Sequence, residues 1–61
     1  MRVVLADDAV LLREGIARLL VEEGFDVVGQ VSDGKGLLAE VESKRPDVVV
    51  VDIRMPPTYT V

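Results

Sequence analysis

The sequence predicts an α/β fold in the order β-α-β-α-β, with a parallel sheet in strand order 2-1-3. Three observations carry this. Short β-branched and aliphatic runs recur at Arg2 to Ala6, Phe25 to Val31 and Asp47 to Ile53. Between them lie segments whose apolar residues follow helical spacing. Strands alternating with helices imply parallel pairing through right-handed crossovers. The first strand is the natural centre, with the second and third on either side. The crossover direction then reverses, which puts the two helices on opposite faces and opens a ligand crevice beside the carboxyl end of the first strand.

The first strand is a compact run ended by Asp7 and Asp8. The first helix is expected from Ala9 to Glu23, with Leu12, Ile16, Leu19 and Leu20 as an apolar stripe. Asp8 suits its N-cap, because a carboxylate there accepts an orphan backbone N–H. Gly24 suits the left-handed position after the helix, and Phe25 would close the stop against Leu20. The second strand, Phe25 to Val31, alternates loosely and reads as more exposed than the first. Ser32-Asp33-Gly34 is a turn and cap cluster. The second helix is expected from about Lys35 to Lys44, with Leu37, Leu38 and Val41 as its stripe. Pro46 ends it, since the residue before a proline is pushed out of the α region. Val48 to Val51 is apolar without alternation, as in a parallel strand buried on both faces. Arg54-Met55-Pro56-Pro57 is a loop, because two prolines forbid strand continuation. Thr58 to Val61 carries no assignable element.

Composition narrows the function. The chain has 61 residues, no Cys and no His, so zinc fingers, Ser/His/Asp triads and Cys nucleophiles are excluded. A formal net charge of −4 without a basic cluster argues against nucleic-acid binding through this segment. No apolar run approaches the ~18 residues of a membrane-spanning helix. The glycines form neither a G-x-G-x-x-G after a strand nor a phosphate-cradling G-x-x-x-x-G-K-[ST], which disfavours nucleotide binding. Asp33-Gly34-Lys35-Gly36 reads as turn chemistry, and Lys44-Arg45 as a solvated helix end favoured by the dipole.

The chemistry lies in three acids. Asp7 and Asp8 end the first strand, and Asp52 ends the third. An Asp before a helix is ordinarily only a cap, and an Asp at a strand end is ordinarily only polar punctuation. Their joint placement at the crevice is what carries weight. Three like charges repel unless something neutralises them, and a hard divalent cation with oxygen ligands does so. A carboxylate beside such a cation can serve as a phosphoryl acceptor. Arg54, two residues after Asp52, could turn its backbone carbonyl toward the acids.

With these residues placed, the chain resembles the receiver domain of bacterial two-component response regulators. The resemblance rests on Val3-Val4-Leu5-Ala6-Asp7-Asp8, Leu11-Leu12-Arg13-Glu14-Gly15-Ile16, Ser32-Asp33-Gly34 and Pro46-Asp47-Val48-Val49-Val50-Val51-Asp52-Ile53-Arg54-Met55-Pro56. The Leu-Arg-Glu-Gly segment and Met55-Pro56-Pro57-Thr58 resemble the NarL-like transcription regulators in particular. The resemblance implies a flavodoxin-like doubly wound sheet, of which residues 1–61 form the first half. It implies that Asp52 is the phosphoacceptor, supplied by a histidine kinase. Mg²⁺ would be held by Asp8 directly, by Asp7 mainly through water, by Asp52, and by the Arg54 carbonyl. It further implies a cytoplasmic signalling protein upstream of transcription, not a classical enzyme.

The family's hydroxyl residue after a fourth strand and its Lys after a fifth have no counterpart in residues 1–61. Half a receiver is therefore expected to be impaired in phosphoryl handling. Its Val48 to Val51 strand would be a bare sheet edge, and its helices would leave apolar surface uncovered. Self-association is the expected remedy, and a self-assembling module without signalling activity is the alternative reading.

Overall fold

The computed structural model describes residues 1–52. The strands are β1 (Arg2–Ala6), β2 (Asp26–Val31) and β3 (Val48–Val51), and the helices are α1 (Val10–Glu22) and α2 (Gly34–Lys44), in the order β1-α1-β2-α2-β3. Both strand pairs are parallel and the sheet order is β2-β1-β3, as the sequence predicts. Ile53, Arg54, the Met55-Pro56-Pro57 loop and Thr58 to Val61 lie outside the described residues.

The core sits on the central strand. Val3, Val4, Leu5 and Ala6 are each at most 1% exposed. A parallel strand paired on both edges and covered on both faces has no solvent side, so its four inner positions are all apolar. The third strand is the bare edge expected of half a receiver, although its valine run reads locally as a strand buried on both faces. Val48, Val49 and Val51 are exposed, because β3 is the sheet's outer strand and no described element pairs with its far edge. An unbroken valine run marks a strand suited to burial on both faces. It does not provide the cover.

The helices bury less than their stripes promise. In α1 only Ala17 is buried. Ile16 and Leu20 are half-buried, while Leu12 and Leu19 are exposed. In α2 Leu37 and Val41 are half-buried and Leu38 is exposed. A three-stranded sheet is narrow, so one side of each stripe passes beyond its edge. An open groove of about 860 Å³ runs between α1 and β2, lined by Leu11, Gly15, Arg18, Val21, Val27 and Gln30 among others, and none of the three acids lines it.

The helix ends explain the boundaries. At the end of α1, Gly24 takes φ +93°. Its N–H donates to the Val21 carbonyl at 3.0 Å, and the Phe25 N–H donates to the Leu20 carbonyl at 2.9 Å. These are the paired bonds of a Schellman stop. Asp33 caps α2 by accepting from the Gly36 N–H at 2.7 Å. Gly34, Lys35 and Gly36 are thus the first turn of α2 and not a separate turn. At the other end Arg45 adopts φ 48° and ψ 62°. Pro46 bars it from the right-handed region, and it leaves by the left-handed route.

Two further contacts fasten α2 to the sheet. The register of β1 on β2 jumps from Val3↔Val27 to Val4↔Gly29, so Val28 is the extra residue of a bulge. Its carbonyl accepts from Lys44 Nζ at 2.9 Å, and Lys44 lies 3.7 Å from Glu40. Lys44 is therefore not the freely solvated helix end expected of it. Arg2, entering β1, donates through its guanidinium to the Lys44 and Arg45 carbonyls.

Candidate functional site

Each acid is positioned by the chain that precedes it. Asp7 extends β1 by one residue, and its N–H donates to the Val31 carbonyl of β2 at 3.0 Å. Asp52 extends β3 in the same way, donating to the Ala6 carbonyl at 3.0 Å. Both therefore hang from the sheet at its carboxyl end. Asp8 follows Asp7 and stands exposed in the turn before α1, whereas Asp7 is 3% exposed.

Asp8 does not cap the helix. The N-cap is Ala9, without a side-chain bond. The Asp7 carboxylate instead accepts the Ala9 N–H through Oδ1 at 2.9 Å. The acid earlier in the turn wins because it is buried and held by the β-ladder, so its carboxylate loses less freedom in accepting the bond. Asp8 is thereby released from the structural duty assigned to it.

One carboxylate oxygen from each of Asp7, Asp8 and Asp52 lies within 4.8 Å of the others. This all-oxygen, all-anionic donor set fits a hard divalent cation of the Mg²⁺ type, which takes one or two carboxylates and keeps several waters. A softer metal would call for nitrogen or sulfur ligands, and the chain has no His or Cys. Asp7, Asp8 and Asp52 are thus brought together, while the fourth expected ligand, the Arg54 carbonyl, lies outside the described residues.

One nearby group escaped the sequence reading. Arg13, in the first turn of α1, donates from Nη1 to the backbone carbonyl of Asp7 at 2.9 Å. Its only signal was an arginine in the first turn of the helix that follows two strand-end acids, a placement more often met on solvated helix faces.

A parallel sheet in this order, with acids converging where the crossovers reverse, is the arrangement that the resemblance to receiver domains of two-component signalling implies. The chain belongs to that family, since the model of the response regulator receiver domain matches residues 3–59. It is similar to the signal receiver domain assigned to the response regulator NarL of Mycobacterium tuberculosis, with a TM-score of 0.86 and 45% identity over 90% of this chain and 45% of that one. It is 40% identical to the transcriptional regulatory protein PdtaR of M. tuberculosis over 90% of this chain and 27% of the regulator. Against the response regulator GacA of Pseudomonas viridiflava the identity is 43%, over 90% of this chain and 26% of the regulator. The chain thus spans about a quarter of these regulators' length. No helix among the described residues is long and apolar enough to cross a membrane.

Proposed function

We propose that this chain is the phosphoacceptor segment of a cytoplasmic response regulator, the first half of a receiver, and that Asp52 takes a phosphoryl group from a histidine kinase. The observation that carries this is the approach of the Asp7, Asp8 and Asp52 carboxylate oxygens to within 4.8 Å of one another. In the proposed step an Asp52 oxygen attacks phosphorus. An acyl phosphate bond forms and the bond from phosphorus to the kinase imidazole nitrogen breaks. The electron pair returns to the imidazole, which takes up a proton from water. Bound Mg²⁺ would supply neutralising charge to the phosphoryl oxygens. Asp7, Asp8 and the Arg54 carbonyl would hold it beside Asp52. The name of PdtaR, a transcriptional regulatory protein, points to transcription as the process downstream.

Incubation with Mg²⁺ and a small acyl phosphate tests the reading. Intact mass should rise by one phosphoryl group, and Asp52→Ala should abolish the rise. A folded protein that gains no mass overturns it.

A second reading, assembly without signalling, is favoured by the exposed Val48, Val49 and Val51 along the outer strand and by the exposed Leu11, Leu19 and Leu38 on the helices. A second copy of the chain could cover that surface.

A further inference from the structure

We propose that Arg13 is a positioning residue for the cation site, fastening the turn that carries Asp7 and Asp8 so that Asp8 stays available to the metal. The inference rests on reading Asp7, Asp8 and Asp52 as that site.

The turn between β1 and α1 has to satisfy two demands. It must start a helix, which leaves orphan backbone N–H groups, and it must present two adjacent carboxylates to one point. The ordinary solution to the first demand, capping by Asp8, would consume a ligand needed for the second. In this chain the two demands are met by different residues. Asp7 Oδ1 accepts the Ala9 N–H at 2.9 Å. A bond at one carboxylate oxygen leaves lone pairs on the other for a cation. The Asp7 N–H is fixed to the Val31 carbonyl at 3.0 Å. The Asp7 carbonyl is fixed to Arg13 Nη1 at 2.9 Å. The main chain of Asp7 is therefore held at both its donor and its acceptor, by β2 on one side and by α1 on the other.

Arg13 is also oriented by that bond in particular. Its Nε is buried and makes no hydrogen bond, so the guanidinium does not sit where all its donors are satisfied. The contact to the Asp7 carbonyl is what its placement retains. Without it, the peptide between Asp7 and Asp8 could rotate, and the two carboxylates would lose their common aim.

The charge of Arg13 makes the inference testable by sign. A guanidinium near a cation site repels the cation, so its removal should tighten Mg²⁺ binding if charge were its main effect. If positioning dominates, removal weakens binding. Groups that orient metal ligands from outside the coordination shell typically change metal affinity about 10–100-fold when lost.

The test is Mg²⁺ titration of the full chain, followed by the amide resonances of Asp7 and Asp8, with no phosphoryl donor present. Arg13→Met keeps the apolar stem and removes the donors, and its Kd for Mg²⁺ should rise about tenfold. Arg13→Lys keeps the charge but not the planar fork, and its Kd should fall between Met and the native chain. Arg18→Met removes a like charge from the groove side of α1 and should leave the Kd unchanged or slightly lower. Unchanged or tighter binding by Arg13→Met overturns the inference while leaving the phosphoacceptor reading intact. Should Arg13→Met fail to fold by circular dichroism, Arg13→Lys decides, weaker binding supporting the inference and equal or tighter binding overturning it. A native chain that binds no Mg²⁺ removes the phosphoacceptor reading and the inference together.

Discussion

Arg2 and Asp47 hold each other twice. The Arg2 N–H donates to Asp47 Oδ2 at 2.8 Å, and the Asp47 N–H donates to the Arg2 carbonyl at 2.9 Å. The pair ties the start of the central strand to the start of the outer one, 45 residues apart in sequence. The Arg2 side chain meanwhile accommodates the last carbonyls of α2. Asp47→Ala should lower unfolding stability by about 1 kcal/mol, the usual net value of one hydrogen bond. The urea midpoint reads this directly, and an unchanged midpoint would show that the second, main-chain bond suffices.

The two candidate caps should behave oppositely. Asp33→Ala removes a bond to the Gly36 N–H and should cost about 1 kcal/mol. Asp8→Ala removes no cap, since the N-cap of α1 is Ala9 and makes no side-chain bond, and it relieves repulsion among three carboxylates. Thermal unfolding in the presence of a chelator should therefore show Asp8→Ala as stable as the native chain or more so. A loss equal to that of Asp33→Ala would contradict the arrangement of the turn.

Two glycines offer a matched pair. A Cβ at Gly15 meets nothing within 4 Å, so Gly15→Ala should stabilise α1 by about 0.5–1 kcal/mol through helix propensity. Gly24 sits at φ +93°, and Gly24→Ala should destabilise by about 1 kcal/mol because a side chain there is strained. Denaturation of both variants under one condition checks the signs.

Light scattering at micromolar concentration tests assembly. The native chain should run larger than a monomer. Val49→Lys places a charge on the outer strand, where it opposes edge pairing, and should shift the population toward monomer without loss of circular dichroism. A folded native monomer would sink the assembly reading.

Local rules carried the element order, because each boundary has a chemical cause visible within a few residues. Gly24 before Phe25 announces the Schellman stop, Asp33 announces a cap, and Pro46 announces an end. The strand order followed from crossover handedness, which needs no side-chain detail. The errors share a different cause. Whether Asp7 or Asp8 accepts the Ala9 N–H depends on which carboxylate the ladder has already buried, and the two look alike in sequence. The bulge at Val28 arises from register against β1, and so does the carbonyl that Lys44 fills. Arg13 was missed because its contact is to a main-chain oxygen, and a main-chain oxygen has no letter in the sequence.

Asp7 and Asp52 donate their amides to the strands beside them, and β1, which carries Asp7, is at most 1% exposed from Val3 to Ala6. Proteins open in units, and the units with least burial open first. Here those are α2 and the outer strands β2 and β3, none of which holds a buried side chain, whereas α1 holds Ala17. The Asp7 amide should therefore exchange with solvent more slowly than the Asp52 amide, because Asp7 is carried by the buried central strand and Asp52 by the exposed outer one. Asp7 is as long-lived as the molecule, while Asp8 lives on the faster clock of the turn before α1 and Asp52 on that of β3.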